Sequence, residues 1–162
     1  VRTYTLEMVE QVALNALAQV ACQNQIPFAE NKHITLTNRI KSEDEADIVG
    51  DVMMLQQSME NLITNALKYT AMGGEVIVET RIEDSWFVFT VADTGIGIAA
   101  EELEYVFESF YRAKNADGMA KGSGIGLNLV RTIIEKHGGH VGADSTLGNG
   151  SRFWFKLPIV RQ

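Results

Sequence analysis

Apolar residues Leu6, Val9, Ala13, Ala16, Leu17 and Val20 recur at spacings of three and four, the period with which a helix buries one stripe. The spacing predicts a helix over residues 5–24. Ile26, Pro27 and Phe28 interrupt it, because proline holds its predecessor in extended geometry. Ile34, Leu36 and Ile40 then fall at even offsets, as on a half-buried strand that also carries His33. Residues 41–47 read as an acidic loop. Asp51 can cap a second helix from Val52 to about Thr70, roughly 28 Å long and so a major core element, which Gly73 and Gly74 stop. Two β-rich runs, Glu75 to Ile82 and Trp86 to Ala92, flank the polar Glu83, Asp84 and Ser85 and predict an antiparallel hairpin. Glu101 to Phe107 reads as a short acidic helix, Arg112 to Lys121 as a polar loop, and Leu127 to Lys136 as a further helix. Strands at about His140 to Ala143 and Ser151 to Leu157 end the chain. Mixed order with hairpin-length links predicts an α/β fold, a mixed sheet covered by helices on one face. There is no internal repeat or low-complexity tract.

Composition narrows the class. The chain has 162 residues, the size of one domain. A net charge of -7 excludes the electrostatic footprint of a general nucleic-acid or anionic-membrane binder. The lone Cys22 forms no internal disulfide, and one cysteine with three scattered histidines builds no zinc spacing. A reducing, cytoplasmic setting is expected. No run approaches the roughly 18 apolar residues of a membrane span, and the first residues lack a signal-peptide build. Any membrane attachment is expected outside this chain.

Candidate chemistry lies in glycine clusters and in one helix. Glycines recur in Asp93 to Ile98 (DTGIGI), in Gly122 to Leu127 (GSGIGL) and in Gly148 to Ser151 (GNGS). Glycine admits positive φ and close ligand approach, and a glycine loop opening a helix offers unpaired N–H groups to phosphate. The second cluster lacks the preceding strand of a dinucleotide-binding unit, and no Gly-Lys-Ser or Gly-Lys-Thr of a Walker loop occurs. On the long helix, Asn61, Asn65, Lys68 and Tyr69 share one side, whereas Leu62, Ile63, Ala66 and Leu67 define the apolar one. Amide oxygens suit Mg2+ held mainly by phosphates and water, and a lysine one turn on can meet a phosphate. Two asparagines in mid-helix lower propensity without structural return.

The run Glu60 to Thr70 (ENLITNALKYT) resembles the N box of sensor histidine kinases. In order after it, DTGIGI resembles the first glycine box, Phe107 to Arg112 (FESFYR) the F box, GSGIGL the second glycine box and Gly148 to Phe153 a third. The boxes cover about residues 57–155, and the first fifty residues carry no motif. The resemblance implies the Bergerat (GHKL) fold, a two-layer α/β sandwich whose mixed, mostly antiparallel sheet is covered on one face by three helices, with ATP lying under a mobile lid. It implies that Asp93 accepts the adenine amino proton, that Gly95 and Gly97 let the chain pass close to the base, that Asn65 holds Mg2+, that Lys68 approaches the phosphates and that Tyr69 packs beside the nucleotide. Gly122, Gly124 and Gly126 become the phosphate-side hinge. Ile98, Ser123, Ile125, Leu127 and Ser151 complete the nucleotide site. Arg112, Lys114 and Lys121 are candidate phosphate contacts on a lid over residues 113–121. Phe107 and Phe110 read as a plug packing the lid's entrance, Met53 and Met54 as core filling, Trp86 and Trp154 as sheet residues, and Cys22 as a buried apolar residue.

In the family the acceptor histidine lies on a separate dimerising hairpin and precedes an acidic residue. His33, His137 and His140 have no such neighbour. The chain is therefore expected to be a single catalytic and ATP-binding domain over 1–162, the hairpin lying elsewhere in a homodimeric parent that is open to inner-membrane anchoring and serves a response regulator. Asn61, Glu60 and Arg112 are the catalytic candidates. GHKL hydrolases carry a water-activating glutamate four residues before the metal asparagine, a place held here by Asn61, with Glu60 about 100° around the helix. A hydrolase, a nucleotide-sensing module and an anti-sigma type serine kinase are the alternatives.

Overall fold

The hairpin expected over residues 75–92 forms the centre of the sheet. The computed structural model describes residues 9–41, 46–108 and 125–159. In chain order these form β1 (Val9–Ala13), α1 (Leu14–Asn24), α2 (Ile26–Asn31), β2 (Thr35–Arg39), β3 (Asp47–Asp51), α3 (Val52–Lys68), β4 (Glu75–Glu83), β5 (Trp86–Asp93), α4 (Ala100–Leu103), α5 (Ile125–Lys136), β6 (His140–Ser145) and β7 (Ser151–Pro158). The main sheet has the order β2-β4-β5-β7-β6, and only β2 with β4 is parallel. Period-two alternation sets one face inward: Val78, Thr80 and Ile82 pair through the register with Val91, Phe89 and Phe87, and these with Phe153, Phe155 and Leu157. Phe89 and Phe155 stack with centroids 5.1 Å apart. Against this face pack α1, α3 and α5, with Leu55, Met59, Leu62, Ile63, Ala66 and Leu67 supplying the buried stripe of α3. The outer face is closed by its own long side chains, Lys156 Nζ lying 4.6 Å from the Trp86 ring centre. Among the described residues, no helix is long and apolar enough to cross a membrane.

Several elements differ from the sequence reading. Residues 9–13 are a strand, paired antiparallel with a second unforeseen strand at 47–51 in a separate two-stranded sheet. The helical period on α1 is real but its phase is not the expected one. Leu14, Leu17, Ala18, Ala21 and Cys22 are buried, while Val9 and Val20 are exposed. The chain turns at Gln25 and resumes as α2 with Pro27 in its first turn, where a missing N–H costs nothing. His33 sits in a turn at φ 57°, ahead of β2 rather than on a strand. Met53 is 68% exposed, so core filling describes Met54 alone of that pair. The acidic helix is shorter, α4 ending at Leu103, and α5 begins two residues earlier than expected. Phe107 does pack on the sheet, edge-on to Phe153. Phe110 and the loop at 112–121 lie outside the described residues.

Candidate active site

Asp51 ends β3 and caps α3, its Oδ1 accepting from Met54 N at 3.1 Å. Its own N–H donates to His137 Nε2 at 3.0 Å, and His137 Nδ1 lies 2.8 Å from the Ile133 carbonyl. The imidazole thus carries its proton on Nδ1 and ties the end of α5 to the start of α3, a tautomer assigned by its partners. From that fixed start, α3 carries Asn61, Asn65 and Lys68 at offsets of four and three, on one flank. Tyr69 is the C-cap. The side chains of Asn61, Asn65, Lys68 and Tyr69 have no hydrogen-bond partner among the described residues. Half-buried amides left unpaired beside a lysine fit a hydrated Mg2+ and phosphate oxygens, which offer both acceptors and a cation. Glu60 is arranged differently, its two carboxylate oxygens accepting from Asn24, Gln25 and Gln56.

The far end of the site is the end of β5. Asp93 Oδ1 accepts from Gly95 N at 2.8 Å and from Ser151 N at 3.2 Å. Oδ2 has no hydrogen-bond partner among the described residues. Burial pushes the carboxyl up to about 6, against the opposing pull of these two N–H donors. The following loop is pinned to its surroundings by backbone. Ile96 N donates to the Tyr69 carbonyl at 3.3 Å, and Gly148 N to the Ile96 carbonyl at 2.7 Å. Glycine is required at Gly97, where φ is +73° and a Cβ would collide with the Thr146 carbonyl oxygen. A Cβ at Gly95 would strike the Tyr69 carbonyl.

Tyr69, Asp93, Gly95, Gly97 and Ser151 are therefore brought together at one end of the sheet, and Ile98 joins them through Ser145. Ser145 Oγ accepts from Ile98 N at 2.7 Å, donates to Gly150 O at 2.9 Å and lies 2.8 Å from Ser151 Oγ. Sequence reasoning missed Ser145, a plain serine at a strand end with no motif around it. It also missed Asn128, whose amide donates to the Phe107 carbonyl at 3.0 Å and joins α5 to the F box. Ile125, Gly126 and Leu127 open α5, which packs beside α3. Arg112, Lys114, Lys121, Gly122, Ser123 and Gly124 lie outside the described residues.

Comparison with known proteins gives this arrangement a family. Residues 50–161 match the family of histidine kinase-, DNA gyrase B- and HSP90-like ATPases. The chain is 38% identical over 148 residues to the sensor histidine kinase RppB of Synechocystis sp., covering 90% of this chain and 32% of that protein. It is 39% identical over 116 residues to the histidine protein kinase DivJ of Caulobacter vibrioides, covering 72% of this chain and 19% of that one. This chain thus spans about a third or less of these relatives. Among solved structures, full-length ShkA, crystallised with AMPPNP, superposes with a TM-score of 0.83 at 29% identity over 99% of this chain and 33% of its own. The catalytic domain of the histidine kinase ThkA shares the fold, with a TM-score of 0.80 at 23% identity over 94% of this chain and 97% of its own. With five motif boxes in order, Asp93 at the end of β5 and the asparagines on α3, the chain belongs to the histidine kinase-, DNA gyrase B- and HSP90-like ATPases, as a catalytic ATP-binding domain of the sensor histidine kinase type.

Proposed function

We propose that this domain, a single unit over 1–162, transfers the γ-phosphoryl group of ATP to a histidine on a separate dimerising helical hairpin of its parent protein. An imidazole nitrogen attacks the γ-phosphorus and ADP leaves. Asp93 Oδ2 accepts from the adenine amino group, Gly95, Gly97 and Ile98 line the base, and Tyr69 packs beside it. Asn65 holds Mg2+, whose part is to neutralise charge on the phosphates, and Lys68 meets a phosphate oxygen. Gly122, Ser123, Gly124, Ile125, Gly126 and Leu127 form the phosphate-side hinge, with Ser151 supporting Asp93 from β7. Arg112, Lys114 and Lys121 act from the lid. The parent works as a homodimer on the cytoplasmic side, passing the phosphoryl group to a response regulator.

The observation that carries this reading is the position of Asn61. Water attack benefits from a carboxylate that removes its proton, and an amide there accepts none. A neutral imidazole is already nucleophilic at neutral pH. The isolated domain should therefore hydrolyse ATP slowly yet phosphorylate a hairpin taken from its own parent, measured by transfer of labelled γ-phosphate alongside steady-state ATP hydrolysis. Asn61→Glu should raise hydrolysis. Rapid turnover by the wild-type domain, lost in Glu60→Gln, would establish a hydrolase instead.

A further inference from the structure

Helix α3 is held to the α1–α2 segment at two places. At the first, Glu60 Oε1 accepts from Gln25 Nε2 at 3.1 Å, while Oε2 accepts from Asn24 Nδ2 at 3.1 Å and from Gln56 Nε2 at 2.7 Å. Gln25 is the residue on which α1 turns into α2, and it is buried. At the second, Lys32 Nζ, just past the end of α2, donates to the carbonyl oxygens of Leu67 at 2.7 Å and Lys68 at 2.8 Å. These belong to the last turn of α3, where carbonyls lack helical partners and a cation opposes the helix dipole favourably. The backbone continues the attachment, Gly73 N donating to the His33 carbonyl at 2.8 Å and Thr35 N to the Gly74 carbonyl at 3.0 Å.

We propose that Glu60 and Lys32 are positioning residues for phosphoryl transfer, through which the α1–α2 segment fixes the rotation and axial place of α3 and so aims Asn61, Asn65 and Lys68 at the metal and phosphates. The inference rests on the kinase reading above. Anchors at residues 60 and 68 stand about 12 Å apart along the axis and bracket the three polar residues. A helix fixed at its middle and at its C-terminal end cannot turn over that half without breaking one set of bonds. Three of the roughly four acceptor sites of the Glu60 carboxylate are taken by neutral amides, two from the α1–α2 segment and one from Gln56 of α3 itself, so its lone pairs are spent on holding the helix rather than on a substrate proton. A misplacement of about 1 Å at reacting groups costs on the order of a hundredfold in rate, so tight anchoring has a functional return that the fold alone does not demand.

The test separates the two ends of the ligand site. Calorimetry on the whole chain measures Mg·ATP, which spans both ends, and adenosine, which reads only the Asp93 end. Lys32→Met and Gln25→Ala should each weaken Mg·ATP about tenfold, a loss the size of one charge-assisted hydrogen bond, while adenosine stays within about twofold. Lys32→Arg, which keeps two donors for the two carbonyls, should restore Mg·ATP affinity. Glu60→Ala combined with Gln25→Ala should lose no more than Glu60→Ala alone, because the pair acts as one anchor. Unchanged Mg·ATP affinity in Lys32→Met and Gln25→Ala overturns the proposal, as does an equal loss for adenosine or additive losses in the double variant. If Lys32→Met fails to fold, the Gln25→Ala cycle decides. A wild-type chain that binds adenosine but not Mg·ATP removes the kinase reading itself, an outcome distinct from wild-type binding with indifferent variants.

Discussion

Replacing Asp93 with asparagine should move stability and binding in opposite directions, and the geometry says why. Both backbone donors, Gly95 N and Ser151 N, converge on Oδ1, which leaves Oδ2 as the oxygen available to a ligand. In the asparagine variant the carbonyl oxygen must keep those two N–H partners, so the NH2 group takes the place of Oδ2 and turns a donor toward the adenine amino group, itself a donor. Losing a hydrogen bond to a charged group costs about 1.5–3 kcal/mol, about tenfold to a hundredfold in affinity. Stability runs the other way. Burial pushes the Asp93 carboxyl up to about 6, from an ordinary value of about 3.9. A carboxyl raised on folding favours the folded state only while protonated, so this contribution is complete below about pH 4 and lost as pH rises through 6. A rise of that size corresponds to about 3 kcal/mol, and about half of it is a fair expectation once relaxation of a partly solvated site is allowed for. Urea unfolding should therefore find Asp93→Asn more stable than wild type at pH 8 and equal to it at pH 4. Adenosine, with no phosphate to titrate, should bind wild type less well as pH falls through 6. If the variant binds adenosine as tightly as wild type, Asp93 is not the base acceptor; if its stability advantage is the same at pH 4 and pH 8, Asp93 is not a carboxylate that burial destabilises.

Gly97→Ala should destabilise the fold by about 1–3 kcal/mol, since φ is +73° and a Cβ meets the Thr146 carbonyl; urea midpoints would measure it. Phe89→Ala should cost about 3–5 kcal/mol, because the ring is fully buried against Phe155 at the centre of the sheet. His137→Phe should cost about 1–3 kcal/mol by orphaning the Asp51 N–H and the Ile133 carbonyl, with His137→Gln less harmful in the same unfolding assay because it offers an acceptor again. Asn65→Ala should abolish most of the gain in ATP affinity on adding Mg2+ while leaving adenosine binding intact by calorimetry.

The parts of this molecule legible in the sequence are those where one short segment carries the whole signal. Asp51 before Val52 announces a helix start locally, and it does cap α3. The alternation over 75–92 gives the β4–β5 hairpin because its partners are neighbours in sequence. The boxes are legible because approach to a nucleotide demands particular residues at fixed spacing, as Gly97 illustrates. What was not legible depends on partners far away. Val9–Ala13 carries three-and-four spacing compatible with a helix, and it becomes a strand because β3, about forty residues on, offers Val12 a buried partner in Ile48.

The same reasoning explains why Glu60 stands among the catalytic candidates in the sequence while Lys32 carries no signal there. In the sequence, Glu60 is a carboxylate beside the metal asparagine. Its placement is decided by Asn24 and Gln25, 36 and 35 residues away, which no local pattern connects to it. Lys32 follows a helix end, where a lysine is ordinarily solvated, yet its ammonium reaches the carbonyls of another helix. Motif boxes encode what touches the ligand, because the ligand's chemistry is the same wherever the fold occurs. The anchoring of those boxes touches no ligand, and in this chain it falls to polar side chains that the neighbouring α1–α2 segment presents. Chains of this family that share Asn61 and Asn65 at this spacing should therefore differ in the residues that hold α3, and their phosphate-end affinities should respond to changes in α1 and α2 that leave base binding untouched.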